Sequence, residues 1–237
     1  MKSAHIDVIG AACKEYFVKR KSANIMVESS INENSIIPVE YLFRTLYEMP
    51  EIEQVALAHC KGRVLEIGAA VGSHALELQS RDLQVLALDH SEGCCEIAKE
   101  RGVKEVLFED FSSFHQKGFD TILMMMNGIG VCGTLKGVND FLVKAKTMLN
   151  TNGQIIFDSC DILYMFLNED GSLNFNLNSA YYGEVEYKIS YKKLKGEPFK
   201  WLFIDEGRMK EIANKHGYTF EKLYQEEDGM YLVKLGL

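Results

Sequence analysis

The sequence predicts an α/β fold in which a parallel sheet is covered by helices on both faces. Three observations predict it. From Arg63 onward, short apolar runs of strand length alternate with stretches of helical period. The first run passes through a loop of small residues into a helical pattern, "VLEIGAAVGSHALEL" over Val64–Leu78. The strand-like runs are nearly continuously apolar, as strands buried on both faces must be.

Ahead of that region, Ile6, Ile9, Cys13 and Phe17 recur at helix spacing. A second set, Val39, Leu42, Phe43 and Leu46, follows Pro38, placed as a first-turn proline. Between them "SANIMVESSINENS", Ser22 to Ser35, is polar and reads as a mobile connection. Residues 1–60 are therefore expected to form a helical N-terminal lid, and 61–237 the main domain.

The strand-like runs are "RVLEI" from Arg63, "QVLALD" from Gln84, "EVLFED" from Glu105, "DTILMMM" from Asp120 and "QIIFDS" from Gln154. Ser91 stands as the N-cap of a helix that stops near Gly102, and Val138, Phe141, Leu142, Ala145, Met148 and Leu149 mark one face of another. Thr151–Gly153 then turns into the fifth strand. "GEVEYKISYKK" alternates, with Val185, Tyr187, Ile189 and Tyr191 on one face, and pairs with "FKWLFID" as an antiparallel hairpin over about 180–204. A helix from about Glu206 to His216 stops at Gly217, and "YTFEKLYQ", Asp228-Gly229 and "MYLVKL" make a closing hairpin.

Composition narrows the function. With 34 acidic and 26 basic residues the net charge is -8, which repels polyanions, so nucleic acid is not an expected partner. No apolar run approaches the roughly 18 residues of a membrane span. The six cysteines are scattered without CxxC or zinc spacing, and no signal peptide opens the chain. A reduced, cytoplasmic protein without a metal site, acting on small molecules, is the expectation.

Two kinds of nucleotide ligand use a glycine-rich turn between a first strand and its helix. The dinucleotide pattern GxGxxG would fall on Gly68, Ala70 and Ser73, and only one position fits. An acid followed by GxGxG falls on Glu66, Gly68, Ala70 and Gly72, and matches at the acid and both outer glycines. The extra methyl of Ala70 predicts a negative φ there.

"VLEIGAAVGSHAL" resembles the first motif of class I S-adenosylmethionine-dependent methyltransferases. The resemblance runs from about Gly62 to Ser159. It implies a three-layer, doubly wound, Rossmann-like fold: a seven-stranded sheet whose last strand is antiparallel, with the N-terminal lid and the inserted hairpin bounding the acceptor site. It implies S-adenosylmethionine as methyl donor and S-adenosylhomocysteine as product. Gly68, Ala69, Ala70 and Gly72 would let the backbone approach the cofactor, with Glu66 anchoring the loop amides and facing its cationic end. Asp89 would take the ribose hydroxyls, with His90 against the adenine. Asp110 would accept the adenine amino group, beside the Phe111 backbone. Asn127 and Gly128 would hold the methionine ammonium. No catalytic residue is implied, because the donor is already activated; the acceptor, a small molecule with an O, N or C nucleophile, stays open.

Other residues carry competing readings. Asp158, in the stretch Asp158–Asp161 after the fifth strand, would orient a substrate or stabilise a loop. His59, His74 and His115 read as surface or packed imidazoles. Lys188, Lys192, Lys193, Lys195 and Lys200 read as edge protection or an anion site. Tyr181, Tyr182, Tyr187, Tyr191 and Trp201 read as packing, an acceptor pocket or a homodimer contact. A nicotinamide oxidoreductase, a non-catalytic cofactor-binding module and an aminopropyl transferase are the rivals. The missing third glycine, the intact acids and the lack of a further acidic amine-binding motif oppose them in turn.

Overall fold

The computed structural model describes residues 6–21, 24–168, 170, 172, 180–227 and 229–237. In chain order the elements begin with α1 (Val8–Lys19), β1 (Asn24–Ser29), β2 (Ser35–Pro38), α2 (Glu51–His59), β3 (Arg63–Ile67) and α3 (Ser73–Ser80). There follow β4 (Gln84–Asp89), α4 (Glu92–Arg101), β5 (Glu105–Phe108), β6 (Phe119–Met124), α5 (Leu135–Met148) and β7 (Leu149–Cys160). The chain continues with β8 (Glu184–Tyr191), β9 (Leu194–Lys195), β10 (Phe199–Leu202), α6 (Glu206–Lys215), β11 (Thr219–Gln225) and β12 (Met230–Gly236).

The main sheet has seven strands in the order β11-β12-β7-β6-β3-β4-β5, with β12 antiparallel to both neighbours and the other pairings parallel. Strand order reverses at β3, which has β4 on one side and β6 on the other. Loops leaving the carboxyl ends of these strands diverge there and open a crevice. Leu65, Ile122 and Ile155 bury themselves on one face against α5 and α6, through Phe141, Leu142, Met209 and Ile212. Val64, Val85, Leu123 and Ile156 do so on the other, against Ile52 and Ala56 of α2 and Leu78 of α3. This is the three-layer arrangement the apolar strand runs demand.

Local rules set the boundaries. Ser91 caps α4 by accepting the Cys94 N–H at 3.1 Å, and Gly102, at φ 104, ends it. Asp7 caps two helices at once: its carboxylate accepts from Gly10 N (2.8 Å) at the start of α1, and from Gly93 N (2.9 Å) and Ser91 Oγ (2.8 Å) at the start of α4. Thr151–Gly153 is not a separate turn. It is an irregular stretch inside β7, with Asn152 left-handed at φ 61 and a register shift opposite Phe119 and Thr121.

The expected hairpin is present as β8 and β10, but it belongs to a second sheet of order β10-β8-β1-β2. Of the stretch read as a mobile connection, Ser22 and Ala23 lie outside the described residues. The rest supplies β1 and β2, with Val27 opposite Ile189 and Val27 also opposite Ser35. Ile25 and Val27 are buried while Asn24, Met26 and Glu28 are exposed, so the strand alternates between core and solvent, and Ile25 packs in one cluster with Ile97 and Tyr191. The second predicted helix is also different. Val39–Phe43 and Leu46–Glu48 are 3-10 turns separated by Arg44, whose ψ of 147° is extended. The N-terminal region is thus mixed rather than helical. Asp228, in the closing turn, lies outside the described residues; the two strands that flank it pair as expected.

Trp201 of β10 rests on the 3-10 turn Gly128–Cys132, so closely that a Cβ on Gly130 would stand 2.3 Å from its indole Nε1. This contact seats the second sheet beside the crevice. Among the described residues no helix is long and apolar enough to cross a membrane.

Candidate active site

The loop after β3 is tied to the end of β4. The amides of Gly68 and Ala69 donate to the Leu88 carbonyl (2.9 and 3.2 Å), and that of Ala70 to Asp89 Oδ2 (2.8 Å). Every second residue is left-handed: Gly68 at φ 75, Ala70 at φ 46, Gly72 at φ 79. The negative φ expected at Ala70 is therefore wrong; the loop's winding imposes the sign, and the methyl is carried under strain. The two glycines answer different needs. A Cβ on Gly68 would meet nothing within 4 Å, because that side faces the open crevice, whereas one on Gly72 would strike Val103 Cγ2 at 2.5 Å.

A cleft opens at the ends of β3, β4 and β5, lined by Gly68, Asp89, His90, Asp110 and Phe111, with Phe141 and Lys144 of α5 opposite. Each oxygen of Asp89 accepts one backbone N–H, Oδ2 from Ala70 and Oδ1 from Ser91 (2.8 Å each). A carboxylate has about four acceptor sites, so two remain. Burial pushes the Asp89 pKa up, against the pull of the Ser91 amide, His90 and the Ala70 amide. Asp110 is held below the usual carboxylate range, chiefly by Ser112, and accepts the Ser112 amide at 2.7 Å. Lys144 pins this loop: its ammonium donates to the carbonyls of Phe111 and Ser112 and lies 4.5 Å from the centre of the Phe111 ring.

Next to it lies a smaller cavity lined by Tyr41, Arg44, Glu66, Gly68, Ala69, Ala70, His74, Met125 and Met126. Glu66 does not anchor the loop amides, which the end of β4 takes instead. Its Oε1 meets His74 Nδ1 at 3.1 Å, His74 Nε2 meets Glu53 Oε2 at 2.9 Å, and Arg44 Nη2 donates to both Glu53 oxygens at 2.7 and 3.0 Å. All four side chains are buried. Burial alone would lower the His74 pKa, but the bonds to Glu53 and Glu66 outweigh it and raise it to about 9. His74 is thus an imidazolium between two carboxylates. Its packing was legible, its partners were not; Arg44 and Glu53 gave no signal in the sequence, since only the fold brings them to Glu66.

At the exit of β6, Met126 and Asn127 are both left-handed (φ 66 and 55). Asp158 at the end of β7 holds this bend, its oxygens accepting from Asn127 N (2.8 Å) and Gly128 N (3.2 Å). Burial pushes its pKa up to about 6, against those two amides. Asp158 therefore has the loop-stabilising role of its two readings. Asn127, Gly128 and Gly72 line neither cavity, while Met125 and Met126 line the smaller one. Tyr181 and Tyr182 pack together with ring centres 4.5 Å apart, and Lys192 pairs with Glu15.

Comparison with known proteins agrees with this geometry. Residues 65–157 match the family model described as a methyltransferase domain. No curated protein matches the chain. The crystal structure of a SAM-dependent methyltransferase from Bacteroides fragilis in complex with S-adenosyl-L-homocysteine is 38% identical, covers 98% of this chain and 95% of its own, and superposes with a TM-score of 0.91. A protein from Pyrococcus horikoshii OT3 (18% identity, 78% of this chain and 87% of its own, TM-score 0.56) shares the fold. So does an amino pentose methyltransferase from Micromonospora echinaspora bound to SAM (14%, 86% and 99%, TM-score 0.55). Nothing in them supports an oxidoreductase, a non-catalytic module or an aminopropyl transferase. With a crevice at the strand-order reversal and a relative this similar over nearly its whole length, the chain belongs to the S-adenosylmethionine-dependent methyltransferases.

Proposed function

We propose that this methyltransferase acts on a small-molecule acceptor, with the adenosine of the cofactor in the larger cleft and its amino-acid end at the smaller cavity. One observation carries the reading: Asp89 presents a carboxylate at the strand-order reversal with two acceptor sites spent on backbone amides and two left for vicinal hydroxyls. The residues fit the cofactor elsewhere too. The open side of Gly68 leaves room for the ribose. Asp110, kept ionised, is placed to accept the adenine amino group while Lys144 fixes the Phe111 backbone beside it, and exposed His90 borders the base. Ala69, Ala70 and Gly72 shape the loop, and Asn127 and Gly128, braced by Asp158, form the backbone bend next to the ammonium.

The cofactor supplies a methyl group already activated by sulfonium sulfur. This chain's residues then hold donor and acceptor in line and keep water out, and a base is needed only where the acceptor atom carries a proton. The net charge of -8 supports a small, non-polyanionic acceptor, an O, N or C nucleophile. Six free cysteines support a reducing, cytoplasmic setting. The segment through Tyr41 and Arg44, which lines the smaller cavity, supports a covering role for residues 1–60 over the domain of 61–237.

Calorimetry with S-adenosylhomocysteine tests the assignment. Replacing Asp89 by Ala removes charge-assisted hydrogen bonds and is expected to weaken binding about 10- to 100-fold. An unchanged affinity would refute the ribose assignment.

A further inference from the structure

The glycine-rich loop is held from behind as well as from the end of β4. Arg101 closes α4, where a basic side chain ordinarily answers the carbonyls of its own last turn. It reaches across instead. Its Nη1 donates to the Val71 carbonyl at 2.7 Å and to Ser73 Oγ at 3.0 Å, and its Nη2 stands 3.5 Å from the Phe43 carbonyl. The Phe43 ring centre lies 5.1 Å from the guanidinium carbon. Ser73 Oγ passes the contact on by donating to the Leu42 carbonyl at 2.7 Å. One guanidinium therefore joins three parts of the chain: the end of α4, the loop between β3 and α3, and the 3-10 turn Val39–Phe43.

That junction is costly. No carboxylate among the described residues pairs with Arg101, and its pKa is pushed down by burial and by the neighbouring Arg20. A half-buried cation met only by carbonyls and a hydroxyl destabilises the fold relative to an apolar side chain filling the same seam. What Arg101 holds explains why it is there. Val71 lies between Ala70 and Gly72, both left-handed, so a fixed Val71 carbonyl keeps the strained winding of the loop. On the far side of the Ser73 link, Tyr41, Leu42 and Arg44 wall the smaller cavity together with Gly68 and Ala69. Arg101 itself lines neither cavity.

We infer that Arg101 is a positioning residue: with Ser73 as go-between it fastens the covering segment, residues 39–48, to the glycine-rich loop, and so sets how slowly a bound cofactor leaves. The inference rests on the reading that the cofactor lies beside this loop. Segment and loop then act as one wall, and release requires the segment to part from Ser73 and Arg101 first.

The test measures the dissociation rate of S-adenosylhomocysteine by surface plasmon resonance on immobilised protein. Arg101→Met and Ser73→Ala are each expected to raise it at least about fivefold. Because the two residues form one chain of contacts, the double variant should stay within about twofold of the faster single variant. A rate within about twofold of the wild type in either single variant, or two effects that multiply in the double variant, overturns the inference. Hydrogen exchange adds a readout that a general loss of stability would not give. In ligand-free Arg101→Met the amides of residues 39–48 should exchange faster while those of α5 keep their rate; exchange unchanged in the segment, or faster everywhere, overturns the fastening. Should Arg101→Met not fold, Ser73→Ala and Arg101→Lys decide the matter. A single ammonium keeps the charge but loses the fork that serves two carbonyls, so Arg101→Lys should release faster than the wild type, and a wild-type rate in either variant overturns the inference. Failure of the cofactor reading looks different: S-adenosylhomocysteine would then bind Asp89→Ala as it binds the wild type, while exchange in the ligand-free segment would still respond to Arg101→Met.

Discussion

Ala70 stands at a position where its φ of 46° suits glycine. Left-handed backbone costs an L-residue about 1–2 kcal/mol, and glycine's looser unfolded chain takes back about 0.4–1. Ala70→Gly is therefore expected to stabilise the protein by about 0.5–1 kcal/mol, read from urea denaturation midpoints. His74 makes a second prediction. Its folded pKa, about 9, lies above the ordinary value of 6.5, so its contribution is complete below pH 6.5 and is lost as pH rises to 9. Stability measured across that window should fall, and the fall should shrink in His74→Gln. At this scale the sequence showed the strand-end acids Glu66, Asp89 and Asp110, because each directly follows or ends an apolar run. It could not show the sign of φ at Ala70, which the winding of the whole loop sets, or the reach of Arg44 to Glu53.

Among the elements, the five strands from "RVLEI" to "QIIFDS" and the helix capped by Ser91 and ended at Gly102 were legible, because their signals are local: apolar period, cap and stop. β1 was hidden because its partner β8 is remote in the chain and only every second residue is buried. The helix foreseen after Pro38 gave way to 3-10 turns because the backbone must extend at Arg44. Asp7 offers the test at this scale. As it caps α1 and α4 together, Asp7→Ala is expected to cost about 1–3 kcal/mol, more than one cap. Since Ser91 bonds both Asp7 and, through its amide, Asp89, the same variant should also weaken S-adenosylhomocysteine binding severalfold in calorimetry.

For the whole molecule, the seven-stranded sheet follows from alternating strands and helices, and its reversal at β3 puts the crevice where three acids lie at or near the ends of β3, β4 and β5. Ligand and core energies meet here. S-adenosylhomocysteine at about 100 times its dissociation constant should add about 2.7 kcal/mol, moving the melting temperature up by about 5–10 °C in a thermal scan. Leu123→Ala, in the centre of the sheet, should cost about 2–5 kcal/mol without altering which ligands bind. The contact of Trp201 with Gly130 reaches beyond these tests. Trp201 is the chain's one indole, and the turn it touches carries Val131 and Cys132 into the wall of the larger cleft. The molecule thus carries its own fluorophore at the joint between its two sheets, and filling of that cleft is expected to change its emission, which stopped-flow on unlabelled protein would time.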